Sequence, residues 1–327
     1  MEFRLNEDQI ALRDGIRAFC DGRVPNEQFA VLESLGGFDR ELWGELAEMG
    51  VFSLRLSEEQ GGVGLGACEA VLVFEELGKC LAPGPLVWSH LAAGLVEGAA
   101  DGSSVVGGLD LTFTDAAPYV VEHLASLDAL LVLRRDGVHR VDPKSLDARL
   151  LALPFDPFTP VHQLDLLPDG ERLGGADDAA RLRLEGAALI SGQLLGIAEQ
   201  SVALANQYAK EREQFNRPIG SFQSIKHILA DMFTRQEAAR AAVYAAGATI
   251  EDPLVGDVAR AVSSAKIMAG EAALKNSRAC IQVHGGMGFT WEIPAHYYWK
   301  RSWVLEQCFG TVDEHADALA EKLGAAA

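Results

Sequence analysis

Eight consecutive residues, Gln282-Val283-His284-Gly285-Gly286-Met287-Gly288-Phe289, carry the strongest chemical signal when read with Arg212-Glu213-Gln214-Phe215 and Phe222-Gln223 upstream. Three glycines in four positions leave no Cβ to hold the backbone away from a bulky charged group such as a pyrophosphate. The run follows a helical stretch, Ala261 to Ile281, so the strand, glycine turn and helix order of a Rossmann nucleotide site is excluded. Taken alone, the glycines could equally end a helix and turn the chain. Arg212, flanked by Lys210, Glu211 and Glu213, taken alone is a charged helix end.

Other constellations carry less. His227, His284 and His296 form no close pair on one helix face near carboxylates, so no metal site is expected and hydrogen-bonded, isolated histidines are. Gly61 to Gly66 lacks the Lys-Ser/Thr ending of a P-loop and reads as a structural turn. The five cysteines (Cys20, Cys68, Cys80, Cys280, Cys308) are widely spaced without a Cys-x-x-Cys pair, which points to reduced thiols rather than a disulfide framework or zinc. Trp291, Tyr297, Tyr298, Trp299 and Trp303 cluster with few cations, as suits packing or subunit contact better than stacking on nucleic acid.

Charge narrows the partners. Lys plus Arg number 28 against 47 Asp plus Glu, a formal net charge of −19, so the long-range field repels nucleic-acid backbones and acidic membranes. Met1-Glu2-Phe3-Arg4 shows no basic segment before an apolar run, and no stretch approaches the uninterrupted apolar length of a membrane span. A cytoplasmic protein without membrane or nucleic-acid partners is expected.

The elements that must position these residues are mostly helical. Asn6 can cap a helix with Gln9 at the box position, burying Leu12, Ile16, Phe19 and Cys20 on one face. A second helix starts near Asp39 and stops at Gly50, and a third carries Val71, Phe74 and Leu77 up to the Pro83-Gly84-Pro85 break. Between Ser103 and Gly175, short β-type runs (Leu109 to Phe113, Ala129 to Leu133, Val138 to Val141) indicate a small all-β module. From about Leu184, four long helical stretches return, the last three at Ser224 to Ala248, Val255 to Ile281 and Tyr297 to Leu323, as in an antiparallel bundle. The expected fold is mainly α: an N-terminal helical domain (1–102), a reduced middle β domain (103–183) and a C-terminal four-helix bundle (184–327).

That order, with its strings, resembles the acyl-CoA dehydrogenase family over nearly the whole chain. Leu5-Asn6-Glu7-Asp8-Gln9, Trp43 with Leu46-Ala47-Glu48-Met49-Gly50, Glu59-Gln60-Gly61-Gly62-Val63-Gly64-Leu65-Gly66 and Phe74-Glu75-Glu76-Leu77-Gly78 match its N-terminal domain. Arg212-x-x-Phe215, Phe222-Gln223, Ala230-Asp231-Met232 and Gln282-x-x-Gly285-Gly286-x-Gly288-Phe289 are the most specific, because they occur in the right order within one expected bundle. The resemblance implies FAD-dependent α,β-dehydrogenation of an acyl-CoA thioester, in which a carboxylate removes the α-proton while the β-hydrogen leaves as hydride. Electrons would pass to an electron-transfer flavoprotein.

Departures from the family pattern shape the rest of the expectation. The usual base is a Glu before Gly-Thr near the C-terminus; here Phe309 precedes Gly310-Thr311 and can accept no proton. A second family solution places the Glu at the position of Gly186. Glu185 is adjacent, but one helical residue is a rotation of about 100°. The flavin loop of the middle domain has no counterpart, Thr112 to Pro118 being the nearest stretch. The retained strings are those that, in the family, cross a dimer interface to the ADP half of a neighbour's FAD: Arg212 as a fork to phosphate, Gln223 and Gln282 as amide contacts, Gly285 and Gly286 as close backbone N–H groups, Phe215 beside the cofactor, and Thr311 adding a hydroxyl. The chain is thus similar to the shortened beta subunits of bacterial heterotetramers that pair two longer alpha with two shorter beta chains, several acting on steroid side-chain CoA thioesters. Two alternatives stay open: a self-sufficient dehydrogenase or oxidase using Glu185, and a non-catalytic structural or acyl-binding paralogue.

Overall fold

The Asn6 side chain accepts from the Gln9 N–H at 2.8 Å and the Gln9 side chain accepts from the Asn6 N–H at 3.1 Å, and this reciprocal cap starts α1 (Glu7–Arg23). The computed structural model describes residues 4–325; residues 1–3, on which the reading of the N-terminus rests, lie outside the described residues. A short α2 (Phe29–Ser34) follows, and Asp39 caps α3 (Arg40–Glu48). Next come α4 (Ala67–Lys79) and, beyond the Pro-Gly-Pro break, α5 (Leu86–Ala92).

Seven strands occupy the middle: β1 (Val106–Asp110), β2 (Tyr119–Glu122), β3 (Ala129–Arg134), β4 (Gly137–Val141), β5 (Arg149–Leu150), β6 (Val161–Leu164) and β7 (Glu171–Gly175). They form one sheet in the order β1-β3-β4-β7 and another in the order β2-β6-β5. β1 pairs with β3 in parallel, and the other pairs are antiparallel. β1 starts earlier than its apolar run suggests, because Gly107 and Gly108 dilute the β pattern at its beginning.

The C-terminal region departs from the expected bundle in two respects. α6 (Ala176–Glu211) begins ahead of position 184 and runs for 36 residues. It contains a stretch long and apolar enough to cross a membrane, against the expectation that none exists, and 72% of that stretch is buried inside the protein, so its apolarity serves the core. α7 (Gln223–Glu251) and α8 (Val258–His284) follow. The single helix expected from Tyr297 to Leu323 is two, α9 (Ala295–Gln307) and α10 (Val312–Ala325). Phe309 and Gly310 adopt left-handed conformations (φ 55° and 96°), which no continuing helix accommodates.

Two compact units result. One takes the chain up to Asn26, Val71–Ala82 and everything from Ala187; the other takes Glu27–Ala70 and Pro83–Gly186. In the first, α4 and α6 meet backbone to backbone: a Cβ on Gly196 would collide with the Glu75 carbonyl oxygen, and one on Gly78 with that of Gln193. Beside this contact lies a buried ionic network. Arg240 donates to Glu75 at 2.6 Å and to Glu199 at 2.7 Å, Lys79 reaches Glu199 and Glu76 at 2.8 Å each, and the Tyr244 hydroxyl donates to Glu75 at 2.8 Å. Burial pushes the Glu75 carboxyl up despite Arg240 and Lys79. Burial also opposes the charge of Glu199, but Lys79 and Arg240 outweigh it and hold that group down at about 2. In the second unit, Trp43 stacks on Phe52 at 4.4 Å and Phe29 meets Phe158 edge-on at 5.2 Å.

Candidate functional site

α6 stops at Glu211, and the chain turns through a hairpin pairing Glu213–Gln214 with Arg217–Pro218. Its two tip residues, Phe215 and Asn216, both have positive φ (53° and 61°), the requirement of a type I′ turn. Asn tolerates that conformation, but an aromatic residue there is strained. Phe215 is nonetheless 86% exposed, so the fold neither hides it nor obtains core packing from it. Ile219 N–H donates to the Arg212 carbonyl at 2.8 Å and closes the base of the hairpin. Among the described residues, no group pairs with the exposed Arg212 guanidinium. Gln223 opens α7, also exposed.

The glycine run lies at the other contributing helix end. α8 carries Gln282, exposed, and ends at His284; Gly285, at φ 61°, reverses the chain into a 3₁₀ turn, Gly285–Phe289. Here the glycines divide by physical role. Gly285 is required by its φ, and Gly288 by packing, since a Cβ there would lie 2.7 Å from the Ile281 carbonyl oxygen. Gly286 has neither reason: among the described residues, no atom beyond its own chain neighbours lies within 4 Å of where its Cβ would be.

One apolar cluster fastens these ends together. Ala205 and Ala209 of α6, Met232 of α7 and Cys280, Ile281 and Val283 of α8 share it, with Tyr208 packed against it. Tyr208 also stacks on His284 at 4.2 Å. Arg212, Phe215, Gln223, Gln282, Gly285 and Gly286 therefore project from one end of the bundle. A planar cation, two amides, a backbone open at Gly286 and an aromatic tip suit the phosphates and base of a nucleotide, so the residues present fit the ADP half of FAD; the Gly285 N–H, expected to face a phosphate, instead donates to the Gln282 carbonyl at the end of α8.

Thr311 stands apart. Val312 packs where Gly270 would have its Cβ, at 2.7 Å, and Gly270 precedes Gln282 along α8 by roughly 18 Å of helix at 1.5 Å per residue. The Thr311 hydroxyl accepts from the Glu314 N–H at 3.1 Å, and Glu314 in turn accepts from the Thr311 N–H at 2.8 Å, a cap on α10.

Neither candidate base is arranged as one. Phe309 is 2% exposed, in a loop clamped by Lys266, whose buried ammonium donates to the Glu306 and Gly310 carbonyls at 2.7 and 2.6 Å. Glu185, in the second unit, pairs with Arg55 at 3.0 Å and Arg181 at 3.2 Å, and lines a cavity of about 260 Å³ with Leu56, His90 and Leu91. Its oxygens are committed to two guanidinium groups. His90, deep in the same unit, is held down at about 4 by burial despite donating to Val51.

The stretch from Thr112 to Pro118 is strapped inward. Arg134 pairs with Asp115 at 2.7 Å, and Arg135 donates to the Thr112 and Phe113 carbonyls at 3.0 Å each. Arg183 pairs with Asp110 at 3.0 Å and lies 3.8 Å over the Phe113 ring. The Asp115 carboxylate and the Thr112 and Phe113 carbonyls are thus bonded within the unit.

Comparison with known proteins identifies the family. The acyl-CoA dehydrogenase N-terminal domain matches residues 6–101, and the acyl-CoA dehydrogenase C-terminal domain matches residues 176–324. The acyl-CoA dehydrogenase IpdE2 of Mycobacterium tuberculosis is 33% identical over 314 residues, covering 90% of this chain and 91% of that protein. The chain belongs to the acyl-CoA dehydrogenase family. Among solved structures, the ChsE4-ChsE5 complex from Mycobacterium tuberculosis superimposes with a TM-score of 0.85 at 25% identity, covering 99% of each chain. A variant of the Tcur3481-Tcur3483 steroid ACAD does so with a TM-score of 0.86 at 25% identity, covering 98% of this chain and 99% of that one. As an acyl-CoA dehydrogenase, the chain is a member of a family of FAD-dependent oxidoreductases.

Two features of the acyl-CoA dehydrogenase chain escape sequence reasoning. The Glu75–Arg240 pair joins residues 165 apart, beyond any local spacing rule, and Glu75 is visible in the sequence only as part of a family string. His296, expected to be satisfied by a hydrogen bond, is 2% exposed with neither ring nitrogen partnered among the described residues. No pattern of residue types announces it.

Proposed function

We propose that this chain is the shorter subunit of a heteromeric acyl-CoA dehydrogenase and that it supplies Arg212, Phe215, Gln223, Gln282, Gly285 and Gly286 to the ADP half of an FAD whose flavin pocket and catalytic Glu belong to a longer homologous subunit. The observation that carries this reading is Gly286, a glycine that nothing inside the chain requires, beside an unpaired Arg212 and an exposed Phe215. Phe309 at the position of the base, and a Glu185 tied to two arginines, remove the means of proton abstraction from this chain. The ChsE4-ChsE5 complex and the Tcur3481-Tcur3483 steroid ACAD support a partnership of unlike chains, and the second also supports a steroid side-chain CoA thioester as the substrate. Two copies of each chain, a cytoplasmic location and working domain limits at 102/103 and 183/184 belong to the same proposal.

Bound FAD would supply the acceptor for the β-hydride of the thioester, with an electron-transfer flavoprotein as the onward electron acceptor. This chain's part is positional. Arg212 would fork to a phosphate, the Gln223 and Gln282 amides would hold the adenosine end, and the backbone at Gly285 and Gly286 would approach the pyrophosphate where a Cβ on Gly286 would obstruct it. Thr311, already committed to capping α10, is at most a hydroxyl contact separate from that end.

Co-expression with the longer homologue is expected to give yellow, active protein, and this chain alone a colourless, inactive one. Recovery of a fully flavinylated, active homo-oligomer from this chain alone would overturn the proposal.

A further inference from the structure

Directly after the glycine turn, the chain presents an aromatic face. Met287, Phe289, Trp291 and Trp303 are 40%, 64%, 64% and 44% exposed, a density of large apolar side chains that ordinary surface does not carry. The rings form two sets, Phe289 with Trp299 and Trp303, and Trp291 with His296 and Tyr297. Phe289 meets Trp299 edge-on at 6.2 Å and Trp299 meets Trp303 at 6.4 Å, while Trp291 stands edge-on to His296 at 4.8 Å. His296, Trp299, Lys300 and Trp303 follow one another on α9 at the three- and four-residue spacing of a single helix stripe.

Under this face lies the unusual group. Among the described residues, His296 has no hydrogen-bond partner on either ring nitrogen, although it is almost fully buried. Burial, aided by Lys300, holds it at about 4, so the imidazole is neutral near pH 7, with one donor and one acceptor nitrogen both unused. Buried polar atoms are rarely left so, and the exposed Trp291 ring packs edge-on against His296.

We infer that this face, Met287 to Trp303, is the seat of the longer subunit, and that a hydrogen-bonding side chain of that subunit completes His296. The inference rests on the shared-FAD reading, because Gly286 and Phe289 belong to the same short turn: whatever approaches Gly286 from outside also meets Phe289. A second copy of this chain is the poorer occupant, since two chains of net charge −19 repel each other. Exposed Trp and Met beside a buried polar group match the anatomy of an interface centre.

The test uses the heteromer and two variants, His296→Phe and Trp303→Glu, with Leu254→Glu as the control on a residue 96% exposed in the turn between α7 and α8. His296→Phe is expected to leave the isolated chain at least as heat-stable as before while weakening binding of the longer subunit about tenfold or more. Trp303→Glu is expected to weaken it similarly, and Leu254→Glu to leave it unchanged. A His296→Phe chain that melts earlier but binds with unchanged affinity would show a histidine satisfied within its own core and overturn the inference, while a still-yellow complex would leave the shared-FAD reading standing. Loss of a homodimer of this chain in Trp303→Glu, with heteromer affinity intact, assigns the face to a second copy and equally overturns it. Failure of the wild-type chain to bind the longer subunit at all removes the shared-FAD reading and this inference together.

Discussion

Nε2 of His315 lies 3.0 Å from the carbonyl oxygen of Phe309, and Nδ1 of the same ring lies 3.0 Å from the Ser263 hydroxyl. A carbonyl only accepts, so Nε2 carries the proton and Ser263 donates to Nδ1. With Lys266 on the neighbouring carbonyls, this contact holds the Phe309–Gly310 loop in its left-handed conformation. The family's base loop thus keeps a rigid scaffold while its side chain has become apolar.

Phe309→Glu should therefore not restore activity to this chain. The side chain is 2% exposed, and an unpaired carboxylate in that site is expected to destabilise the fold by about 3–5 kcal/mol. Chemical denaturation and an acyl-CoA turnover assay on the isolated variant check both halves; a stable, active Phe309→Glu homo-oligomer would contradict them.

Gly286→Ala and Gly288→Ala should separate cleanly. At Gly286 the added methyl meets nothing in the chain, so the melting temperature of the isolated protein should hold, while flavin retention by the heteromer falls about tenfold or more as the methyl obstructs the phosphate approach. At Gly288 the methyl meets the Ile281 backbone, so the fold itself should lose roughly 1–3 kcal/mol. Equal flavin retention in wild type and Gly286→Ala would count against a cofactor at this turn.

Glu185→Gln tests the remaining base. A lost general base costs about 10²–10⁴-fold in rate, whereas a carboxylate paired with Arg55 and Arg181 has only a structural part, and heteromer turnover should change by less than about threefold. A rate loss in the larger range would reinstate Glu185.

Much of this fold is readable locally. The Asn6–Gln9 box and the Asp39 cap act over three residues, and the apolar spacing of α4, α6 and α8 is plain in the chain. The break at Phe309 is not, because nothing in Cys308-Phe309-Gly310 distinguishes a helix that continues from one held open by Lys266 and His315. The gathering of Arg212, Gln223 and Gln282 follows from their family strings, but the separation of Thr311 from them emerges only when Val312 is seen packed on Gly270. His296 was unreadable because its distinguishing property is the lack of a partner.

Acid should expose the buried network of α4, α6 and α7. Glu199 is held at about 2 against an ordinary 4.5, so its folded value is the lower one. Its contribution is fully present above pH 4.5 and is lost as the pH falls towards 2. Glu75 is shifted the other way by burial and partly offsets this. Arg240→Ala should flatten the acid limb of stability and, by leaving Glu75 buried without its cation, cost about 3–5 kcal/mol near pH 7. Urea unfolding at pH 7 and pH 3 measures both; an acid limb identical to wild type would contradict the assignment.

The strained turn at Phe215 has a consequence for supply. A molecule that keeps an aromatic ring in open water on a hairpin tip, and carries further uncovered tryptophan on its surface, displays the surface that quality-control systems recognise on unfinished proteins. Copies synthesised in excess of their counterpart should be short-lived, so the abundance of this chain in the cell is set by the companion it waits for.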